Sequence, residues 1–69
     1  MIFIKVTGMP SGIAMTLNAS LIKAYYKHQE EEKTLIFMDD AIADRVIAVK
    51  EKPEKLDKLI KEAKAKDRL

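Results

Sequence analysis

The chain lacks most of the residue types on which disulfide-linked and metal-bound small domains depend. It has no cysteine, a single histidine, two glycines and two prolines. Without thiols it can form no disulfide, thiolate zinc site or iron–sulfur cluster, and one histidine excludes a histidine-rich metal site. No apolar run approaches the roughly 18 residues of a membrane span, and Met1–Lys5 has neither the basic region nor the cleavage site of a signal peptide. We therefore expect a cytoplasmic protein without a bound cofactor.

The length of 69 residues predicts a single domain, near the lower limit for a stable core. A chain of this size buries only about 60% of the surface that it exposes when unfolded. Small domains without disulfides or metals usually gain stability from a second chain. We therefore expect a homo-oligomer or a complex with a protein partner.

The net charge of +2 is unevenly distributed along the chain. Residues 1–49 carry five basic and six acidic side chains, a net charge of −1, whereas residues 50–69 carry eight basic and five acidic, a net charge of +3. Lysines in this second segment could contact phosphates, so a nucleic-acid-binding regulator is the alternative to a protein-binding module. The candidate contacts are Lys55, Lys58 and Lys61. Interleaved acidic residues weaken the positive field, so protein binding remains the leading hypothesis.

Residues 1–49 alternate in period two, which is typical of β-strands. The predicted strands cover residues 2–7, 13–18, 34–38 and 45–49, with turns at 8–12, 29–33 and 39–44. Asn18 and Ser20 predict a tight change of direction at 18–20, because their side chains bond the local backbone. Residues 21–28 contain Ile22, Tyr25 and Tyr26, which favour a strand, but their apolar residues fall on both faces, and a helix is also compatible. The pattern predicts an antiparallel β-meander of about five short strands in residues 1–51.

Residues 53–66 change to period 3.6, which predicts one C-terminal α-helix. Pro53 suits the first helical position because its missing N–H has no intrahelical partner there. An apolar stripe follows at i, i+3, i+4 and i+7, formed by Leu56, Leu59, Ile60 and Ala63. The stripe must pack on one face of the sheet, so the fold class is α+β, a short-stranded meander packed against this helix.

One helix covers one sheet face, and the second face then remains exposed. A monomer rarely exposes a large apolar area, so we expect this second face, or an edge strand, to bind a protein partner or a second copy. The candidate interaction surface consists of the large apolar residues of the predicted strands: Phe3, Tyr25, Tyr26, Phe37 and Met38.

The sequence contains no recognisable set of catalytic residues. His28 lies in a polar stretch without a neighbouring nucleophile, which favours a surface histidine. Asp39, Asp40 and Asp44 are interrupted by apolar residues and lack the glycine and distal glutamate of a calcium loop, so turn-forming carboxylates are the simpler interpretation. Gly8 and Gly12 are not followed by the lysine of a phosphate-binding loop. We therefore predict a non-enzymatic protein.

The order of these segments resembles a family of small flagellar-operon proteins, the FlbD or SwrD proteins. The matching residues are Ser11-Gly12, Leu17-Asn18 and Leu21-Ile22, followed by two later strands and a C-terminal helix. The resemblance implies a small cytoplasmic accessory or regulatory protein without catalysis, and it carries over no binding residues. A phage or mobile-element protein of similar build is the other interpretation that this pattern allows.

Overall fold

The first two strands of the chain form an N-terminal hairpin. The structure is a computed structural model, and it describes residues 2–39 and 44–67. Strand β1 (Phe3–Thr7) pairs antiparallel with β2 (Ala14–Asn18). The turn between them closes with a hydrogen bond of 2.8 Å from the Gly12 N–H to the Gly8 carbonyl. Gly12 has a φ of +75°, a conformation that favours glycine because a Cβ atom would be strained there. The hairpin predicted around residues 8–12 is therefore confirmed.

The chain then forms a three-stranded antiparallel sheet. A 3-10 helix (Ala19–Leu21) leads into β3 (Ile22–Lys27), and β4 (Thr34–Asp39) lies between β3 and β5 (Asp44–Val49). The Asn18 side chain accepts a hydrogen bond from the Ser20 N–H at 3.0 Å, which stabilises the change of direction. The open question about residues 21–28 is thus answered, because most of them form a strand. The predicted turn at 39–44 includes residues 40–43, which lie outside the described residues.

The two sheets meet at one end of β1 and β5. Gly8 forms an isolated antiparallel bridge with Val49, flanked by hydrogen bonds from Met9 N–H to the Ala48 carbonyl and from Lys50 N–H to the Thr7 carbonyl. The Thr7 N–H also donates to Glu51 Oε1 at 2.8 Å, and Thr7 Oγ1 donates to Glu51 Oε2 at 3.0 Å. This bidentate contact replaces the next rung of the ladder and joins the hairpin to the chain leading into the helix.

Helix α1 (Pro53–Asp67) packs against β1 and β3 and completes the core. Leu56 is completely buried, and Leu59, Ile60 and Ala63 pack against the same cluster. The buried apolar residues come from both sheets and the helix: Ile4, Val6, Leu17, Ile36, Met38, Val49 and Leu56. The α+β class, the five strands and the C-terminal helix are confirmed, and the strands are divided between two sheets. Among the described residues, no helix is both long and apolar enough to cross a membrane.

Candidate interaction surface

The three-stranded sheet has two faces, and the strand register defines which residues each face carries. Residues directly opposite one another in an antiparallel ladder lie on the same face, and alternate residues of a strand share a face. The register places three residues in each of two rows across the sheet. These six residues form the outer face: Ala24, Tyr26, Leu35, Phe37, Val46 and Ala48. The opposite, inner face carries the core residues Ile36, Met38 and Val49, so the helix lies on the inner side.

The outer face is apolar and exposed. The rings of Tyr26 and Phe37 are stacked, with centroids 5.4 Å apart and planes inclined by 21°. Tyr26 retains 50% of its accessible surface, and Val46 retains 58%. Aromatic and β-branched side chains side by side on a sheet are typical of a face that packs against another element. In the described part of the chain, however, no element lies over this face.

Two of the five predicted interaction residues lie on the outer face, and the other three do not. Met38 is only 8% exposed, in the core, and Tyr25 packs against that same core. The prediction was wrong to place them with Tyr26 and Phe37, because successive residues of a strand point to opposite faces. Phe3 is exposed, but it belongs to β1 in the other sheet and lines a shallow depression with Ala63 and Lys66 of α1.

Sequence reasoning missed four residues of the outer face: Ala24, Leu35, Val46 and Ala48. Alternation within each strand places Leu35 on the same face as Phe37, and Val46 on the same face as Ala48. The sequence carries this signal. It does not say which alternating set is buried, because both sets in β4 are apolar. Only the position of the helix distinguishes the two faces.

Tyr25 has a structural partner on the inner side. Its hydroxyl donates a hydrogen bond to Oδ1 of Asp57 in the first turns of α1. This hydrogen bond, together with partial burial and the negative charge of Asp57, raises the pKa of Tyr25 from 10.0 to about 12. The contact links β3 to the helix at the solvent boundary of the core.

We expect the Tyr25–Asp57 contact to contribute stability at neutral pH and to be lost in strong alkali. Because the folded pKa is raised, the contribution is complete below pH 10 and disappears as the pH rises towards 12. Phenolate absorbance near 295 nm, measured as the difference between wild type and Tyr25→Phe, should titrate near pH 12. In Asp57→Asn the same difference should titrate closer to pH 10. An unchanged midpoint in Asp57→Asn would contradict this assignment.

The loop between β3 and β4 borders one end of the outer face. His28 Nδ1 accepts hydrogen bonds from the N–H groups of Glu30 and Glu31, both at 3.1 Å, so it acts as a cap within the loop. His28 and Glu30 line a shallow depression together with Tyr26 and Leu35. The surface histidine predicted from the sequence therefore has a role in holding the loop, and it places an acidic residue beside the apolar face.

Two of the three glutamates in the loop form ion pairs. Glu31 lies 2.6 Å from the Lys33 ammonium, whose hydrogen bond and charge lower the pKa of Glu31. Glu32 lies 3.4 Å from the Lys27 ammonium. Exposed pairs of this kind contribute little to stability because water and salt screen them. Their main consequence here is that two of the three negative charges in the loop are neutralised locally.

The lysines predicted to contact nucleic acid all lie on α1. Lys55, Lys58 and Lys61 are exposed, and Glu54 and Asp57 lie exposed among them. The helix therefore presents a mixed charge pattern and not a continuous basic stripe. Nucleic-acid binding by these lysines stays a prediction.

The acidic cluster predicted at Asp39, Asp40 and Asp44 lies partly outside the described residues. Asp39 and Asp44 are opposite one another at the ends of β4 and β5, and Asp40 lies outside the described residues. Residues 2–39 and 44–67 contain no group of three or more histidine, cysteine or carboxylate side chains placed to hold a metal ion.

Comparison with known proteins adds no relative. No family model, no curated protein and no solved structure matches this chain significantly. The geometry of the outer face is therefore the main guide to function.

Proposed function

We propose that this chain is a small, non-enzymatic accessory protein of the cytoplasm, and that it acts by burying the outer face of its three-stranded sheet against another polypeptide. The observation that supports this most directly is the stacked Tyr26–Phe37 pair beside the exposed Val46, with no covering element in the described residues. Moving side chains of this kind out of water lowers the free energy by about 25 cal/mol per Å² of apolar area buried. Tyrosine and phenylalanine are also among the residue types enriched at protein interfaces.

The core of this protein is small, which supports the same proposal. Among the described residues, seven apolar side chains are buried, and they come from β1, β2, β4, β5 and the helix. A domain with so short a list depends on additional burial more than a larger domain does. Covering the outer face would turn a sheet that is buried on one side into a sheet buried on both.

We expect Val46→Glu to weaken partner binding while the domain stays folded. Val46 is 58% exposed, so the free energy of unfolding should change by less than about 1 kcal/mol. In a complex, the new carboxylate would be buried among apolar groups, which should weaken binding at least about tenfold. The measurement is affinity capture from extracts of the source cells with quantitative mass spectrometry, alongside sedimentation velocity of the purified protein at tens of micromolar.

The matched control is Ile13→Glu, which introduces the same charge at a site that is 63% exposed beside the hairpin turn. Support for the proposal is a protein, or a second copy, that wild type and Ile13→Glu retain and Val46→Glu loses. Identical behaviour of all three proteins would refute it. Specific recovery of flagellar components would in addition support the family resemblance.

A further inference from the structure

The turn between β3 and β4 is held by one nitrogen of a histidine ring. His28 is half-buried, and its Nδ1 accepts hydrogen bonds from the backbone N–H groups of Glu30 and Glu31, each at 3.1 Å. An imidazole nitrogen accepts a hydrogen bond only when it carries no proton, so in this turn the ring is neutral and its single proton lies on Nε2. Two backbone donors therefore depend on the protonation state of one side chain.

Protonation of His28 is incompatible with this turn. In the imidazolium both ring nitrogens are donors, so an N–H at Nδ1 would face two backbone N–H groups that also donate. Histidine is the residue type whose charge ordinarily changes between about pH 5 and pH 8, and the chain has one histidine. A fall in pH that protonates His28 therefore acts directly on the turn.

The charged groups near His28 are balanced in sign. They belong to the loop and to the ends of the strands beside it: Lys27, Glu30, Glu31, Glu32, Lys33 and Lys50. Lys33 is the main cause of the lowered pKa of Glu31, and the charge of His28 contributes less. Carboxylates favour the charged ring and ammonium groups oppose it, whereas the two hydrogen bonds at Nδ1 favour only the neutral ring. The hydrogen bonds therefore distinguish the two states of the ring most clearly.

We infer that the β3–β4 loop is a pH-sensitive switch, in which neutral His28 caps the turn and protonated His28 releases it. The hairpin stays closed in both states, because the hydrogen bond of 2.8 Å from the His28 N–H to the Lys33 carbonyl does not involve the ring. The change is therefore confined to residues 29–32 and to the depression that the loop shares with Tyr26 beside the outer face. This inference concerns the free protein and does not depend on the proposed function.

The test measures the exchange of the Glu30 and Glu31 amide hydrogens with water, by NMR, in ¹⁵N-labelled wild type and His28→Ala. Both proteins are measured in the same buffers at about pH 8 and about pH 5, so the direct effect of pH on exchange cancels in their ratio. At about pH 8 both amides should exchange at least about three times more slowly in wild type, because a hydrogen-bonded amide is protected. At about pH 5 the two proteins should agree, and the protection should disappear with the midpoint at which the ring ¹⁵N signals titrate.

His28→Asn is the matched control, because an asparagine oxygen can cap the turn without titrating, as Asn18 does for the Ser20 N–H. Its protection relative to His28→Ala should be the same at both pH values. The Ser20 amide should exchange equally in wild type and His28→Ala. Equal exchange of Glu30 and Glu31 in these two proteins at about pH 8 would overturn the inference. Protection that survives protonation of the ring, or that His28→Asn loses on acidification as wild type does, would also overturn it.

Discussion

Leu56→Ala should lose about 2–5 kcal/mol of folding free energy, the largest effect we expect of any single substitution discussed for this chain. Leu56 is completely buried and is the side chain with which the helix enters the core that both sheets share. Truncation removes apolar contacts and leaves a cavity that neighbouring side chains fill only in part. A domain of 69 residues has a total stability of roughly 3–10 kcal/mol, so the variant should be largely unfolded or close to it.

Urea denaturation followed by the helical circular-dichroism signal measures this loss. Leu59→Ala is the matched control, because it makes the same chemical change one turn later at a half-buried position. Its loss should be clearly smaller, at about 1 kcal/mol. If Leu56→Ala and Leu59→Ala had equal and small effects, the helix would not be docked on the core as described.

Glu51→Ala should lose about 1–3 kcal/mol, although the residue is neither apolar nor fully buried. Its carboxylate accepts hydrogen bonds from both the backbone N–H and the hydroxyl of Thr7, the last residue of β1 and the one before the Gly8–Val49 bridge. Removing it leaves the Thr7 N–H without an acceptor at the junction of the two sheets. Glu51→Gln retains one acceptor oxygen and should lose about half as much.

A double-mutant cycle isolates this contact. Thr7→Val removes the hydroxyl donor and keeps the β-branched shape, so it should cost about 1 kcal/mol. The double variant Thr7→Val/Glu51→Ala should cost less than the sum of the two single changes, because both remove the same hydrogen bond. Strict additivity, measured by urea denaturation, would show that the two residues do not interact in solution. Glu62→Ala, an exposed acid on α1, is the control for loss of charge alone.

Much of the fold could be predicted from local patterns. The switch from period two to period 3.6 fixes the boundary near Pro53, and the helix extends to Asp67, one residue beyond the prediction. Turn-forming residues predicted the first hairpin, and Asn18 predicted the bend after β2 because its side chain bonds the nearby backbone. These features depend on interactions between residues close together in the chain, so the sequence contains them directly.

The candidate site was predicted only in part. An exposed apolar face opposite the helix was expected, and Tyr26 and Phe37 belong to it. Tyr25 and Met38 were wrongly assigned to it, although alternation alone places Tyr25 on the other face from Tyr26 and Met38 on the other face from Phe37. The role of Glu51 had no signal in the sequence, because its partner Thr7 lies 44 positions away.

The sequence alone determined the kinds of elements, their order, and the absence of cysteine-based chemistry, since each depends on composition or local periodicity. The tertiary structure decided which of two apolar sets in β4 is buried. Leu35 and Phe37 are as apolar as Ile36 and Met38, so hydrophobicity does not distinguish them. The helix packs on the side of Ile36, where Leu56 completes a core with residues from both sheets. In residues 2–39 and 44–67 there is one helix and no second element over the other side, which is the side that we propose for a partner.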